Sequence, residues 1–140
     1  MAYWLLKSEP ESFSWDEQVA CGKKGEGWWG VRNAQARNYM QEMKKGDLAF
    51  FYHSGKERRV VGVTKITKEA YHDHTADDDK WVMVDVAAVE AMPEPVTLAA
   101  IKGKPGLADM VLVRNSRLSV QPVSAKQWRA VCAMGGLKTK

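Results

Sequence analysis

The sequence predicts an α+β fold: a mainly antiparallel sheet curled into a small β-barrel, with helices packed on its flanks. Two observations carry this expectation. After Gly46, short runs rich in β-branched and aromatic residues follow one another without regular helical crossovers. Capped helical segments, at about 34–45 and 124–134, stand on either side of that block. With 140 residues, 45% hydrophobic and 27% charged, the chain suits one globular domain, 1–140, with a sizeable core.

Each element has its own warrant. "YWLLK" (3–7) reads as a buried strand. "SWDEQ" (14–18) opens a short helix, because Ser14 and Glu17 stand at capping-box spacing and can satisfy free N–H groups at its start. Lys23–Gly27 is an exposed loop. Asn33 caps a helix over "AQARNYMQEMKK" (34–45), which Gly46 ends, and Ala36, Met40 and Met43 share one face. "DLAFFYH" (47–53), "RVVGVTKIT" (59–67) and "WVMVDVAAV" (81–89) are strands, with Ser54–Arg58 an exposed loop. "TLAAIK" (97–102) is a helical turn or two, and "MVLVR" (110–114) and "RLSVQPV" (117–123) are further strand candidates. "SAKQWRAVCAM" (124–134) is a helix with Ser124 and Gln127 at capping-box spacing and Gly135-Gly136 as its stop.

The net charge of +4 is unevenly spread. Residues 1–68 carry 12 basic and 8 acidic side chains, 69–94 one basic and eight acidic, and 95–140 eight basic and one acidic. Basic ends around an acidic middle suit a polyanion such as nucleic acid, though ordinary surface charge gives the same tally. No stretch approaches the roughly 20 apolar residues of a membrane span. "MAYWLLKSEP" lacks the basic segment and cleavage site of a signal peptide and reads as a first strand. Cys21 and Cys132 stand far apart, outside any C-x-x-C pair, and read as reduced thiols of a cytoplasmic protein.

"WWGVRNAQARNYM" (28–40) sets two tryptophans before two Arg-Asn pairs. A flat aromatic beside planar hydrogen-bonding groups is what a planar polar ligand needs; a core-facing helix would only use the tryptophans for packing. "FYHS" (51–54) and "VRNSRLSV" (113–120) add hydroxyls, an imidazole and arginines for phosphates. A metal site fares less well. "YHDHTADDD" offers His72, His74 and aspartates, but no second cluster closes a coordination sphere, so the run reads as a hydrated acidic loop and neither metal nor cofactor is expected. Nucleophilic catalysis lacks its usual frames: there is no G-x-S-x-G, P-loop, G-x-G-x-x-G or zinc-deaminase signature.

"YWLLKSEP", "SFSWDE", "WWGVRNAQARNYMQEMKKGDLAFFYHS", "VVGVTKITKEAY", "WVMVDV" and "RLSVQPV", in this order, resemble the EVE domain family, which belongs with the PUA, ASCH and YTH group of nucleic-acid-binding folds. The resemblance runs from residue 3 to about 134. It implies a PUA-like barrel whose pocket accepts a base, modified rather than plain, from DNA or RNA, by binding rather than turnover. Carried over residue by residue, it implies a pocket of Lys7 and Ser8 from "KSEP", Trp29, Arg32 and Asn33 from "WGVRN", and Tyr52, His53 and Ser54 from "YHS". Arg117 and Ser119 from "RLSV" join them. Arg37 and Asn38 match the "ARN" motif and equally suit bracing the helix. Where this chain has His72 and His74, the family commonly has prolines. The ASCH relatives suggest an alternative, an amidohydrolase-like enzyme acting on a modified nucleobase or nucleoside, with Lys7 and Ser8 as nucleophile or base and Glu9 as carboxylate. A third alternative is a purely structural partner-binding domain.

Overall fold

The structure, a computed structural model, describes residues 1–137. The last three positions of the expected domain, with Lys138 and Lys140 of the basic C-terminal segment, lie outside the described residues. The chain runs β1 (Tyr3–Ser8), α1 (Trp15–Ala20), β2 (Glu26–Gly27), α2 (Ala34–Glu42), β3 (Leu48–His53), β4 (Arg59–His72), β5 (Val82–Thr97), α3 (Leu98–Lys102), α4 (Val111–Arg114), β6 (Val120–Val123) and α5 (Ala125–Met134).

Among the described residues the strands form one six-stranded sheet in the order β2-β5-β4-β3-β1-β6. Every pairing is antiparallel except that of β1 with β3. The α+β class and the mainly antiparallel sheet hold, but the closed barrel does not. β2 and β6 are only two and four residues long and end at opposite edges without pairing to each other. The parallel β1–β3 pair also departs from expectation, since it needs a crossover, and α1, β2 and α2 supply it.

Side chains on successive strand residues alternate between two apolar clusters, one on each face. Leu6, Ala49, Phe51, Val84 and Val86 join Trp15 of α1 and Met40 of α2 in the first. Leu5, Phe50, Val60 and Val63 join Ile101, Leu112 and Trp128, from α3, α4 and α5, in the second. Burial on both faces explains why "YWLLK" and "DLAFFYH" are continuous apolar runs rather than alternating ones.

The expected helix starts hold. Ser14 with Glu17 and Ser124 with Gln127 form complete capping boxes, and the Asn33 side chain accepts from the Ala36 N–H. α2 stops at Glu42, before Gly46, because Met43 turns to an extended backbone at ψ 140° while its side chain stays in the core. "MVLVR" is helical rather than a strand: Leu107 and Met110, three apart, bury side by side in the second cluster, and helical hydrogen bonds continue to Arg114 and Asn115. β4 and β5 run well past their expected ends. β5 carries Pro93 and Pro95, which cannot donate to a ladder, and the register slips between Val60 and Gly62 where they lie.

Candidate functional site

The topology gathers dispersed motifs at one end of the sheet. Parallel β1 and β3 finish together, with Lys7 opposite Tyr52 and Ser8 opposite His53. β6 runs antiparallel to β1, so the segment that enters it reaches the same end. There the Lys7 N–H donates to the Ser119 carbonyl at 2.9 Å, the Lys7 ammonium donates to the Ser116 carbonyl, and the Ser54 N–H donates to the Ser8 carbonyl at 2.9 Å. Lys7, Ser8, Tyr52, Ser54 and Ser119 are thereby brought together.

A narrow cavity of about 190 Å³ opens at this end, walled by Lys7, Ser8, Glu9, Phe13, Trp28 and Trp29. That is well under the several hundred Å³ of a drug-sized pocket and suits a single planar ring. The two tryptophans divide the work. Trp28 is 7% exposed and meets Phe51 edge-on at 5.4 Å, whereas Trp29 is 49% exposed at the cavity. At Gly27 a β-carbon would stand 3.0 Å from the end of the Met83 side chain and 3.2 Å from the Tyr71 hydroxyl, so the loop packs tightly here. The Ser8 hydroxyl donates to the Phe13 carbonyl at 2.6 Å and keeps its lone pairs for an incoming donor. Burial pushes the Lys7 ammonium below its ordinary value, because partial removal from water disfavours its charged form.

The tryptophan loop is pinned by a residue that sequence reading missed. Asp73, the middle of "HDH", is buried and accepts from the Gly30 N–H at 2.8 Å, the Arg32 guanidinium at 3.0 Å, and both the N–H and hydroxyl of Thr75. Burial alone would raise its carboxyl; the hydrogen bonds from Thr75, Gly30 and Arg32 outweigh that and hold it well below the usual carboxylate range. The available signal was local: D-x-T is the spacing of an Asx-turn. His72 and His74 on either side are exposed.

Several expected pocket residues have other duties here. His53 is buried; its Nε2 accepts from the Trp15 N–H at 3.0 Å, so its Nδ1 carries the proton and donates to Glu57 at 2.9 Å. It braces α1 rather than facing the cavity. Arg32 holds Asp73 and Thr75, and Asn33 is the α2 cap. Arg37 donates to the neighbouring Asn38 side chain and lies 5.5 Å from the Trp81 ring, beside Arg32 at 5.9 Å. Arg117 is exposed at the turn into β6. Tyr52 and Ser54 line a neighbouring cavity that shares Lys7.

The EVE domain family matches residues 2–134. The chain belongs to that family. Among its relatives, human thymocyte nuclear protein 1 is 40% identical over 166 aligned residues, covering 95% of this chain and 73% of that protein. The crystal structure of Agrobacterium tumefaciens protein Atu2648 superposes with a TM-score of 0.98 at 50% identity, covering all of this chain and 97% of that one. Human THYN1 protein, solved in complex with DNA containing 5-methylcytosine, superposes with a TM-score of 0.90 at 38% identity, covering 99% of this EVE domain and 100% of that chain. The YTH domain of Zygosaccharomyces rouxii MRB1, solved with N6-methyladenosine RNA, shares the fold at 15% identity and a TM-score of 0.59, covering 99% and 89%.

Proposed function

We propose that this EVE domain is a non-catalytic nucleic-acid-binding module whose narrow cavity accepts a single modified base from DNA or RNA. The observation that carries the reading is the half-exposed Trp29 indole beside a ring-sized cavity walled by Lys7, Ser8 and Phe13. Trp29 stacks the base, and Ser8 and Lys7 read its edge. Arg32, through Asp73, and Asn33 hold the loop and helix that present Trp29. The Ser119 carbonyl accepts from the Lys7 N–H at the end of β1, and exposed cations such as Arg117 supply affinity for the backbone. The THYN1 relative's complex with 5-methylcytosine DNA supports a modified base as the ligand.

Binding fits the geometry better than hydrolysis. The nucleophile candidates at this end are Lys7 and Ser8, and both are tied to main-chain carbonyls, those of Ser116 and Phe13, rather than to the Glu9 carboxylate that would have to activate them. Cys21 and Cys132 are free thiols, and no helix among the described residues is long and apolar enough to cross a membrane.

The test is a titration with single-stranded and duplex oligonucleotides carrying cytosine or 5-methylcytosine at one position. Trp29→Ala is expected to keep its melting temperature and lose roughly 1–3 kcal/mol, one to two decades of affinity. A parent protein that binds none of these probes above background, or a folded Trp29→Ala variant that binds like the parent, overturns the reading.

A further inference from the structure

Beside the base cavity lies a second one, of about 330 Å³, that shares Lys7 as a wall. Lys7, Arg58 and Lys102 line it together with the hydroxyl-bearing Tyr52, Ser54 and Ser116, and no carboxylate does. None of these three cations makes an ion pair among the described residues. Glu57, next to Arg58 in sequence, lines an adjoining cavity with Arg58 and Lys102, and its carboxylate is engaged by His53 and Arg59. Three cations converge from β1, the β3–β4 loop and α3, elements far apart in sequence.

Arg58 is held there by force. Its φ of +46° makes it the sole non-glycine residue with positive φ among those described. Such a conformation is unfavourable for a residue with a side chain and persists only where the surroundings impose it. The surroundings do: Arg58 closes the β3–β4 loop, and its carbonyl accepts from the Leu98 N–H at 2.8 Å, tying it to the start of α3. Burial raises the Tyr52 hydroxyl above its ordinary value, and the Arg58 charge pulls it back, so the guanidinium acts on the cavity interior.

We propose that this second cavity is a phosphate subsite, in which Lys7, Arg58 and Lys102 hold a phosphate group and the neighbouring hydroxyls orient it. The inference rests on the base-binding reading for its biological ligand, the phosphodiester next to the bound base, with Lys7 spanning both cavities. The chemistry is that of any tetrahedral oxyanion: three positive groups, donors on several sides, and no carboxylate in the lining, with Glu57 held by His53 and Arg59 outside it.

Arg58→Gly separates support from binding, because glycine adopts positive φ freely and only the guanidinium is lost. Lys102→Gln removes a second charge from an exposed position. Three probes are titrated by calorimetry against parent and variants: inorganic phosphate, an abasic deoxyribose-phosphate oligomer, and the cytosine and 5-methylcytosine oligonucleotides. Arg58→Gly is expected to melt at or above the parent temperature yet lose about five- to tenfold in affinity for the abasic oligomer. The slope of log affinity against log salt should fall by about 0.7, the value for one lost single-strand phosphate contact. Lys102→Gln should weaken it in the same sense. Saturable inorganic phosphate binding that Arg58→Gly abolishes would identify free phosphate as a ligand; loss confined to the oligomers would identify the backbone. Both results support the subsite. Variants that bind every probe as tightly as the parent overturn it, as does a parent that binds neither phosphate nor the abasic oligomer. The base-binding reading fails separately, through Trp29→Ala or through loss of discrimination between the two cytosines.

Discussion

Asp73 shows how a single side chain can set a site it does not touch. Its two oxygens collect four hydrogen bonds that join the tryptophan loop to the turn after β4. Asp73→Ala leaves these donors without their acceptor and should cost about 3 kcal/mol in a denaturant melt. It should also weaken oligonucleotide binding at temperatures where the variant is folded, since Gly30 and Arg32 lose their anchor. Thr75→Ala removes only one of the four contacts to the carboxylate and should cost about 1 kcal/mol. Equal costs for the two substitutions would show that the loop is held by something else. Arg32, 39% exposed, is expected to behave as a partner of Asp73, with little loss of binding beyond what loop release explains.

At the scale of elements, α1 and α2 each follow a segment that walls the site, Phe13 before α1 and the tryptophan loop before α2, and the two helices are fixed by different means. α2 begins at the Asn33 cap, so Asn33→Ala should cost about 1 kcal/mol of stability and leave discrimination between modified and unmodified bases intact. Changed discrimination with an unchanged melt would instead make Asn33 a reader of the base. α1 is set by Trp15, whose ring packs against Gly62 of β4 and whose backbone N–H donates to His53 Nε2. A methyl group at Gly62 would stand 2.4 Å from the Trp15 ring. Gly62→Ala should therefore cost about 1–3 kcal/mol by overpacking, read as a lowered denaturation midpoint with unchanged slope. A midpoint within error of the parent would mean that α1 shifts without cost.

For the molecule as a whole, two buried carboxylates join distant segments and govern acid stability. Asp47 accepts from the Trp4 indole and from the Ala2 and Lys44 N–H groups, stapling the N-terminus to the start of β3. Burial alone would raise its carboxyl, but those hydrogen bonds and the N-terminal charge lower it, as they do for Asp73 with its own partners. A carboxylate depressed in the folded state adds stability above its unfolded value of about 4, and that stability is lost as pH falls through the folded value. Thermal midpoints followed by circular dichroism should hold near neutral pH and decline below about pH 4. Asp47→Asn and Asp73→Asn should each show a lower plateau and a shallower acid limb. An acid limb parallel to that of the parent in both variants would remove these two groups as its cause.

The sequence by itself determined the local chemistry: capping boxes at Ser14 and Ser124, the Asn33 cap, strands at "YWLLK" and "DLAFFYH", and an aromatic-polar cluster at Trp29. Such features depend on neighbours a few residues apart, so they are legible in order along the chain. Family motifs added the resemblance from residue 3 to about 134, and the EVE family match spans 2–134. Tertiary structure alone decided which motif residues meet. Parallel pairing of β1 with β3 brings Lys7 to Tyr52 and Ser8 to His53, and no periodicity in either run specifies a parallel partner. It also turned His53 inward to brace Trp15, promoted Asp73 from an acidic loop to the anchor of the tryptophan loop, and set Arg58 and Lys102 around one cavity with Lys7. The physical reason is the same in each case. A side chain's role follows from which groups compete for its hydrogen bonds and its burial, and those competitors come from segments tens of residues away.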